Sequence, residues 1–351
     1  MNGKARNGGT VRLQKIVLHS RAAFSICLLS GASTMVLTGC ETDKYGFGET
    51  RGLVITKPND ETVKIPPPKK PNDAESWFQY GFTFQTKQLW PEAIYCYKKA
   101  CELNKNNKNY WNGLGTAYQF CDKLDSARVA FLKANELDVY DMGPMLSIGF
   151  VDTRLGKHDD EAERYYLMCL AINPDQRDPW QNLIAVLHRL NEDELMPVVQ
   201  KLAEGPNAPN AAHIADLLNE SYLRKFPDDY DALVNKGIFN TRVLNVPLAK
   251  ACFVKALEIR PNGPRALIGL GLFYDATGDA TKAKETFDLC CQSSPSQAMA
   301  WACRGGIAGR EKDYRLALKC YSIASSLSPE SAFWSEKIAE YLKLCKTLDA
   351  K

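Results

Sequence analysis

The stretch PRALIGLGLFYDATGDATKAKETFDLCCQSSPSQ, residues 264–297, is one copy of a pattern that returns at a fixed interval along the chain. Several of its positions recur in phase over three copies: Gly237, Gly271 and Gly305; Ala249, Ala283 and Ala317; Phe253, Phe287 and Tyr321; Pro261, Pro295 and Pro329. Self-similarity at such a period is the sequence signature of repeat proteins. The chain is therefore predicted to be an array of similar units.

The same pattern is present nearer the N-terminus, and its spacing predicts helices. Trp77, Tyr80, Gly81 and Phe84 return one period later as Trp111, Leu114, Gly115 and Tyr118. The large residues are spaced i, i+3, i+7, which places them on one buried stripe of a helix. Glycine costs about 1 kcal/mol inside a helix, so its recurrence indicates that a second helix packs closely there. The prolines end that second helix because proline cannot continue its hydrogen bonding.

This pattern resembles the tetratricopeptide repeat, which implies an all-α, right-handed superhelical solenoid of helix-turn-helix units. The interval from Arg177 to Tyr230 is longer than one repeat, and the excess is enough for one additional helix and a turn. We therefore predict a solenoid over 74–331, followed by a capping helix at 332–348. Its units are repeats at 74–107, 108–141, 142–176, 177–210 (degenerate), 230–263, 264–297 and 298–331, with a seam helix at 211–229.

The segment 1–39 has the three parts of a secretory signal peptide. Five basic residues and no acidic ones occupy 1–21, an apolar run follows, and Leu37-Thr38-Gly39-Cys40 resembles the bacterial lipobox. The resemblance implies cleavage before Cys40 and lipid attachment to its thiol. The alternatives are an uncleaved membrane anchor, because the apolar run 22–39 could only just span a bilayer, and a cytosolic tail.

Residues 40–73 are predicted to be the lipidated cysteine followed by a flexible tether. The segment is rich in proline, glycine and charge and includes Ile65-Pro66-Pro67-Pro68, which favours extended polyproline conformations. A proline-rich ligand for another protein is the alternative. The whole chain carries a charge of +3, and removal of the five basic leader residues leaves −2. The basic character therefore belongs to targeting, and nucleic-acid binding is not expected.

The sequence contains no motif that would make it an enzyme or a metalloprotein. It has no CxxC pair, phosphate-binding glycine loop, GxSxG or HExxH. Several cysteines fall at core positions of the repeat: Cys169 and Cys290 where a small residue is required, and Cys96, Cys252 and Cys320 just before the aromatic. We expect them to pack as small hydrophobes, with disulfides as the alternative. No catalytic residue, cofactor or small-molecule substrate is predicted.

Binding is the remaining function, and the resemblance places it in a concave groove lined by the first helix of each repeat. The side chains that this frame directs into the groove are Phe78, Gln79, Phe82, Gln85, Asn112, Thr116, Gln119 and Phe120, and later Val234, Asn235, Ile238, Arg265, Ile268 and Leu272. Aromatic and amide side chains suit an extended peptide or a partner helix. The alternative is that they pack against neighbouring repeats. A clamp for chaperone carboxylates is not expected, because Phe78 and Phe82 occupy two of its positions.

The function expected from the sequence is a protein-binding scaffold of the bacterial cell envelope. It would be anchored by lipid on Cys40 at the periplasmic face of a membrane, the outer one, and serve assembly of a pilus, secretion or cell-wall complex. One alternative is a cytosolic adaptor in which the N-terminal segment is not a signal peptide. The ten cysteines beyond Cys27 and Cys40 favour this alternative, because free thiols are at risk in an oxidising compartment. Another is a subunit that selects substrate for an enzyme complex.

Overall fold

The computed structural model describes residues 53–56, 62–65, 67–204, 211–329 and 331–349. Apart from one short hairpin, these residues form a succession of sixteen α-helices, which confirms the all-α solenoid predicted from the sequence. The helices are α1 (Ala74–Thr86), α2 (Trp90–Leu103), α3 (Lys108–Phe120), α4 (Leu124–Leu137), α5 (Met142–Leu155), α6 (Asp159–Ile172), α7 (Arg177–Arg189), α8 (Met196–Glu204), α9 (Ala211–Lys225), α10 (Tyr230–Arg242), α11 (Val246–Ile259), α12 (Pro264–Ala276), α13 (Ala280–Ser293), α14 (Ala298–Arg310), α15 (Tyr314–Leu327) and α16 (Ala332–Asp349).

The hairpin lies in the segment that the sequence assigned to the tether. Strand β1 (Leu53–Thr56) pairs antiparallel with β2 (Thr62–Ile65), so that Leu53 lies opposite Ile65. Both strands are rich in β-branched residues, which favour extended pairing. Two parts of the segment predicted to be a tether therefore pair with each other.

Close packing within each helix pair explains why glycine recurs at one position of the repeat. A Cβ atom added at Gly271 of α12 would lie 2.5 Å from Cε1 of Phe287 on α13, and one added at Gly237 would lie 2.7 Å from the same atom of Phe253. Both phenylalanines are only 1% exposed. The aromatic position of the second helix therefore occupies the space that the missing side chain leaves on the first.

The regular succession of first and second helices is interrupted between α7 and α10. A 3₁₀ turn (Asp193–Leu195) and the short helix α8 follow α7, and α8 packs mainly against α7. Helix α9 occupies the segment for which the sequence predicts an additional helix, and it packs against α6 and α10. One apolar cluster joins α6, α7, α8, α9 and α10 here. The seam is therefore the centre of a core shared by five helices.

A buried carboxylate, Glu163 of α6, lies beside the seam helix α9. Its side chain has no exposed surface and neither oxygen has a hydrogen-bond partner, while Nζ of Lys225 on α9 lies 3.9 Å from Oε2. Burial is the main reason why the pKa of Glu163 is raised from 4.5 to about 8. The negative charges of Glu192 and, to a smaller extent, Asp160 also raise this pKa, whereas the positive charge of Lys225 lowers it. The folded protein therefore holds a proton that the unfolded chain releases at lower pH.

We expect this carboxylate to make the protein less stable as the pH rises. Because the folded pKa lies above the unfolded one, the free energy of unfolding falls as the pH rises from about 4.5 to about 8. In Glu163→Gln this loss is absent, so the wild type should lose about 4 kcal/mol more than the variant between pH 5 and pH 9. Urea unfolding at several pH values measures the difference. Glu161→Gln, on the exposed side of the same helix, is the control, and parallel pH profiles of wild type and Glu163→Gln contradict the prediction.

The helices form two arrays that pack against each other. We call α1–α8 the N-terminal array and α10–α15 the C-terminal array. Helix α10 contacts α6 of the N-terminal array, and Nη2 of Arg242 donates to the carbonyl of Ile172 at 2.6 Å. Further along, the side chain of Gln297 donates to the carbonyl of Glu136 at 2.9 Å and accepts from the amide of Val139 at 3.1 Å. The C-terminal array thus folds back on the N-terminal array.

Candidate peptide-binding groove

The concave face of the C-terminal array is filled by the chain itself. Of the six groove residues predicted there, Val234, Asn235, Arg265 and Ile268 are at most 1% exposed, and Ile238 and Leu272 are partly buried. These side chains contact the N-terminal array or lie within the C-terminal core. The prediction that they bind a partner is therefore corrected: the first four are not accessible to one in this structure, and the other two are accessible only in part.

The buried polar residues of this interface bond to one another. Nη2 of Arg265 donates to Oδ1 of Asn235 at 2.6 Å, and Nη1 donates to the carbonyl of Asp231 at 3.1 Å. Asn235 in turn donates to Oδ1 of Asn219 on α9 at 3.1 Å. Nη1 of Arg164 on α6 lies 2.8 Å from Oδ2 of Asp231. Asn235 and Arg265, which the sequence assigned to ligand binding, thus bond to other polar groups inside the protein, although Nε of Arg265 has no partner there.

The apolar part of this interface is built around the turn between α4 and α5. Val139 and Tyr140 of that turn pack against a buried apolar cluster that includes Leu267 and Ile268. The hydroxyl of Tyr140 donates to the carbonyl of Arg265 at 3.1 Å, and burial raises the pKa of this phenol. The turn therefore occupies the position at which an external peptide would contact α12.

The groove of the N-terminal array is open and retains the predicted residues. Phe82 and Phe120 are 47% and 54% exposed, and Gln79 is also exposed. Partly buried side chains complete the set, namely Phe78, Gln85, Asn112, Thr116 and Gln119. Large exposed apolar side chains on a surface often mark a site that meets a partner. This end of the molecule is therefore the candidate binding site.

Phe78 has a structural role within this groove. Its ring packs between Tyr97 at 5.5 Å and Tyr110 at 5.1 Å between centroids. The hydroxyl of Tyr97 donates to Oε1 of Gln85 at 2.6 Å, and that of Tyr110 donates to Oε2 of Glu75 at 3.0 Å. Burial raises the pKa of both phenols, so they stay protonated donors. Phe78 therefore supports the groove floor, while Phe82 and Phe120 remain available.

The structure adds Trp90, which the sequence analysis missed. Trp90 is the first residue of α2, and its ring stacks on Phe120 with centroids 4.2 Å apart and an angle of 3° between the planes. Sequence reasoning placed only first helices in the groove, so a residue that opens a second helix was not considered. The pair Trp90 and Phe120 forms a flat aromatic surface at the end of α3.

The cysteines in the described part of the chain are mostly buried. Ten free thiols belong to the described residues, and eight of them are buried. Burial raises the pKa of Cys96, Cys101, Cys169 and Cys290 to about 12, which leaves little thiolate at neutral pH. Among the described residues, no group of three or more His, Cys, Asp or Glu side chains is placed to hold a metal ion. The same part of the chain includes no helix both long and apolar enough to cross a membrane.

Comparisons with curated proteins show distant similarity to two groups of proteins. Human protein O-mannosyl-transferase TMTC3 is 24% identical over 220 residues, covering 62% of this chain and 23% of that protein. Anaphase-promoting complex subunit 3 of Schizosaccharomyces pombe is 32% identical over 96 residues, covering 27% of this chain and 14% of that protein. The chain thus spans less than a quarter of the length of either relative.

Among solved structures, a tetratricopeptide repeat protein from Parabacteroides merdae aligns with 77% of this chain and 98% of its own, at 16% identity and a TM-score of 0.40. The type IV pilus biogenesis factor PilW aligns over the same shares at 17% identity and a TM-score of 0.33. A family model described as TPR repeat matches residues 87–119, and one described as tetratricopeptide repeat matches residues 264–297. Residues 87–119 and 264–297 therefore match tetratricopeptide repeats, and the helices of the described residues form a solenoid.

Proposed function

We propose that this protein is a scaffold of the bacterial cell envelope that holds a partner protein in the groove of α1 and α3. The observation that carries the proposal is the contrast between the two arrays. The groove of the C-terminal array is filled by α6 and the α4–α5 turn, whereas the N-terminal groove exposes Phe82 and Phe120. Tetratricopeptide repeats supply the scaffold, and exposed aromatic residues are typical anchors of protein interfaces.

Anchoring is the second part of the proposal. The basic, apolar and Leu37-Thr38-Gly39-Cys40 segments support lipid attachment at Cys40 and a position at the periplasmic face of the outer membrane. These residues lie outside the described part of the chain. A tether of about thirty residues would let the groove reach partners away from the bilayer. Assembly of a pilus, secretion or cell-wall complex is the class of task that fits such a scaffold.

We propose that the scaffold has no catalytic activity of its own. A subunit that selects substrate for an enzyme complex would use the same groove, with the enzyme as its partner. Human TMTC3 is named as an O-mannosyl-transferase, but the similarity covers 23% of that protein. The transferase activity is therefore not carried over to this chain.

The proposal is tested by capture of partners in the native host with Phe82→Ala/Phe120→Ala. We expect recovery of crosslinked partner proteins to fall about tenfold or more, because interface aromatics cost about 2 kcal/mol or more when truncated. Val129→Ala on α4 and Val243→Ala after α10 are matched controls, since these apolar side chains are 60% and 70% exposed outside the groove.

A second arm of the same experiment tests the anchor. Cys40→Ala should abolish palmitate labelling and release the protein from the membrane fraction. Unchanged partner recovery by a folded Phe82→Ala/Phe120→Ala variant rules out this groove, and wild-type protein without lipid rules out the anchor.

A further inference from the structure

The N-terminal groove offers a partner aromatic surfaces and amides without charge. All eight of its predicted residues are uncharged, and a carboxylate beside them, Glu75, is already engaged. Oε1 of Glu75 accepts from Nε2 of Gln79 at 2.6 Å, and Oε2 accepts from the Tyr110 hydroxyl. Charge complementarity therefore favours an uncharged ligand over an acidic peptide, a nucleic acid or a basic segment.

The aromatic surfaces lie on two successive groove helices. Phe82 belongs to α1, and the stacked pair of Phe120 and Trp90 lies at the end of α3. Flat, exposed aromatic rings are the surfaces on which proline-rich segments dock. Each ring presents apolar area without requiring a hydrogen bond from the ligand, which suits the apolar face of a pyrrolidine ring.

Hydrogen-bond donors are available beside these rings. Oε1 of Gln85 accepts from Tyr97, so its amide nitrogen remains, and the Gln119 amide forms no hydrogen bond within the described ranges. A polyproline helix has no internal hydrogen bonds, and every one of its carbonyl groups can accept. The groove therefore supplies donors to a ligand that has only backbone acceptors.

A polyproline helix presents its prolines at regular intervals along one face. A polyproline helix rises about 3.1 Å per residue with about three residues per turn, so every third residue returns to the same face after about 9 Å. A polyproline segment that crosses α1 and α3 would therefore present prolines of one face to the rings of Phe82 and Phe120.

We infer that the groove of α1 and α3 binds an uncharged, proline-rich segment of a partner protein in the polyproline conformation. The inference rests on the proposed function in that it takes this groove as the binding site. It narrows the partner from any protein to one with a proline-rich stretch that contacts Phe82 and the Trp90–Phe120 pair.

Decaproline is the probe, titrated into the full-length protein by isothermal calorimetry. We expect saturable binding, weakened about tenfold by Phe120→Ala and about as much by Phe82→Ala, in accord with the loss of one aromatic contact each. Val129→Ala should bind as the wild type does. A glycine-serine decapeptide should not bind, because it lacks the pyrrolidine rings.

Three outcomes overturn the inference. Decaproline fails to bind the wild type; it binds the wild type and both folded phenylalanine variants equally; or chitohexaose, tested in parallel, binds with the same dependence on Phe82 and Phe120, which assigns the groove to a glycan. The proposed function fails separately. Partner capture that depends on these phenylalanines, without decaproline binding, preserves the scaffold and removes only the proline-rich ligand.

Discussion

Replacing Arg265 with alanine is expected to lower the free energy of unfolding by about 3–5 kcal/mol, the usual cost of removing one partner from a buried charged network. The Arg265 side chain is 2% exposed and lies 3.5 Å from Oδ1 of Asp231, with a hydrogen bond to Asn235. Its loss leaves Oδ1 of Asn235 without a donor inside the protein, while Asp231 keeps its pairing with Arg164. Chemical denaturation followed by circular dichroism measures the change.

The matched control is another arginine on a groove helix. Arg154 of α5 pairs with Asp122, and its side chain is 42% exposed, so Arg154→Ala should cost about 1 kcal/mol or less. Arg265→Met, which keeps the apolar stem, should fall between the two. If Arg265→Ala is as stable as the wild type, the C-terminal groove is open in solution and Arg265 returns as a candidate ligand residue.

Phe253→Ala is expected to destabilise the fold by about 3–5 kcal/mol, the range for truncating a buried aromatic. The ring is 1% exposed and fills the space beside two glycines. A Cβ added at Gly237 would lie 2.7 Å from its Cε1 atom, and one added at Gly269 would lie 2.6 Å from the same atom. The ring therefore joins α10, α11 and α12, and its removal leaves a cavity among all three.

Val254→Ala, next to it on α11 but 39% exposed, should change stability by about 0.5 kcal/mol at most. A double-mutant cycle with Gly269→Ala tests the geometry directly. The added methyl group collides with the ring in the wild type but has room in Phe253→Ala, so the two effects should not add. Additive effects contradict the close approach.

The local structure was largely accessible to sequence reasoning. The recurring glycine and the recurring aromatic residue, such as Gly271 and Phe287, mark a first and a second helix because each glycine leaves room for one ring. The period is a property of neighbouring helices, and it therefore predicts contacts within about one repeat. Prolines such as Pro261 indicate where the second helix of a repeat ends, because proline cannot continue the helix.

The contact between the two arrays could not be predicted from the repeat pattern. Arg265 and Asn235 occupy groove positions whether the groove faces solvent or another part of the chain, and their residue types fit both. Tyr140 lies in a turn between repeats, where the pattern places no constraint. In the N-terminal groove, the repeat pattern predicts Phe78, Phe82 and Phe120 alike as groove residues. It does not show that Phe78 is partly buried, because that burial depends on how its ring packs against Tyr97 and Tyr110.

The hydrogen bonds of Gln297 affect how the protein folds. A solenoid with only neighbour contacts can begin folding at any repeat and lose its ends one repeat at a time. Here Gln297 joins residues 158 and 161 positions earlier in the chain, so a large loop must close before these contacts form. Such long-range closure slows folding and ties the middle of the chain to its end. A chain that emerges from its N-terminus could therefore fold its N-terminal array first, but the contacts of Gln297 could form only after residue 297 had emerged as well.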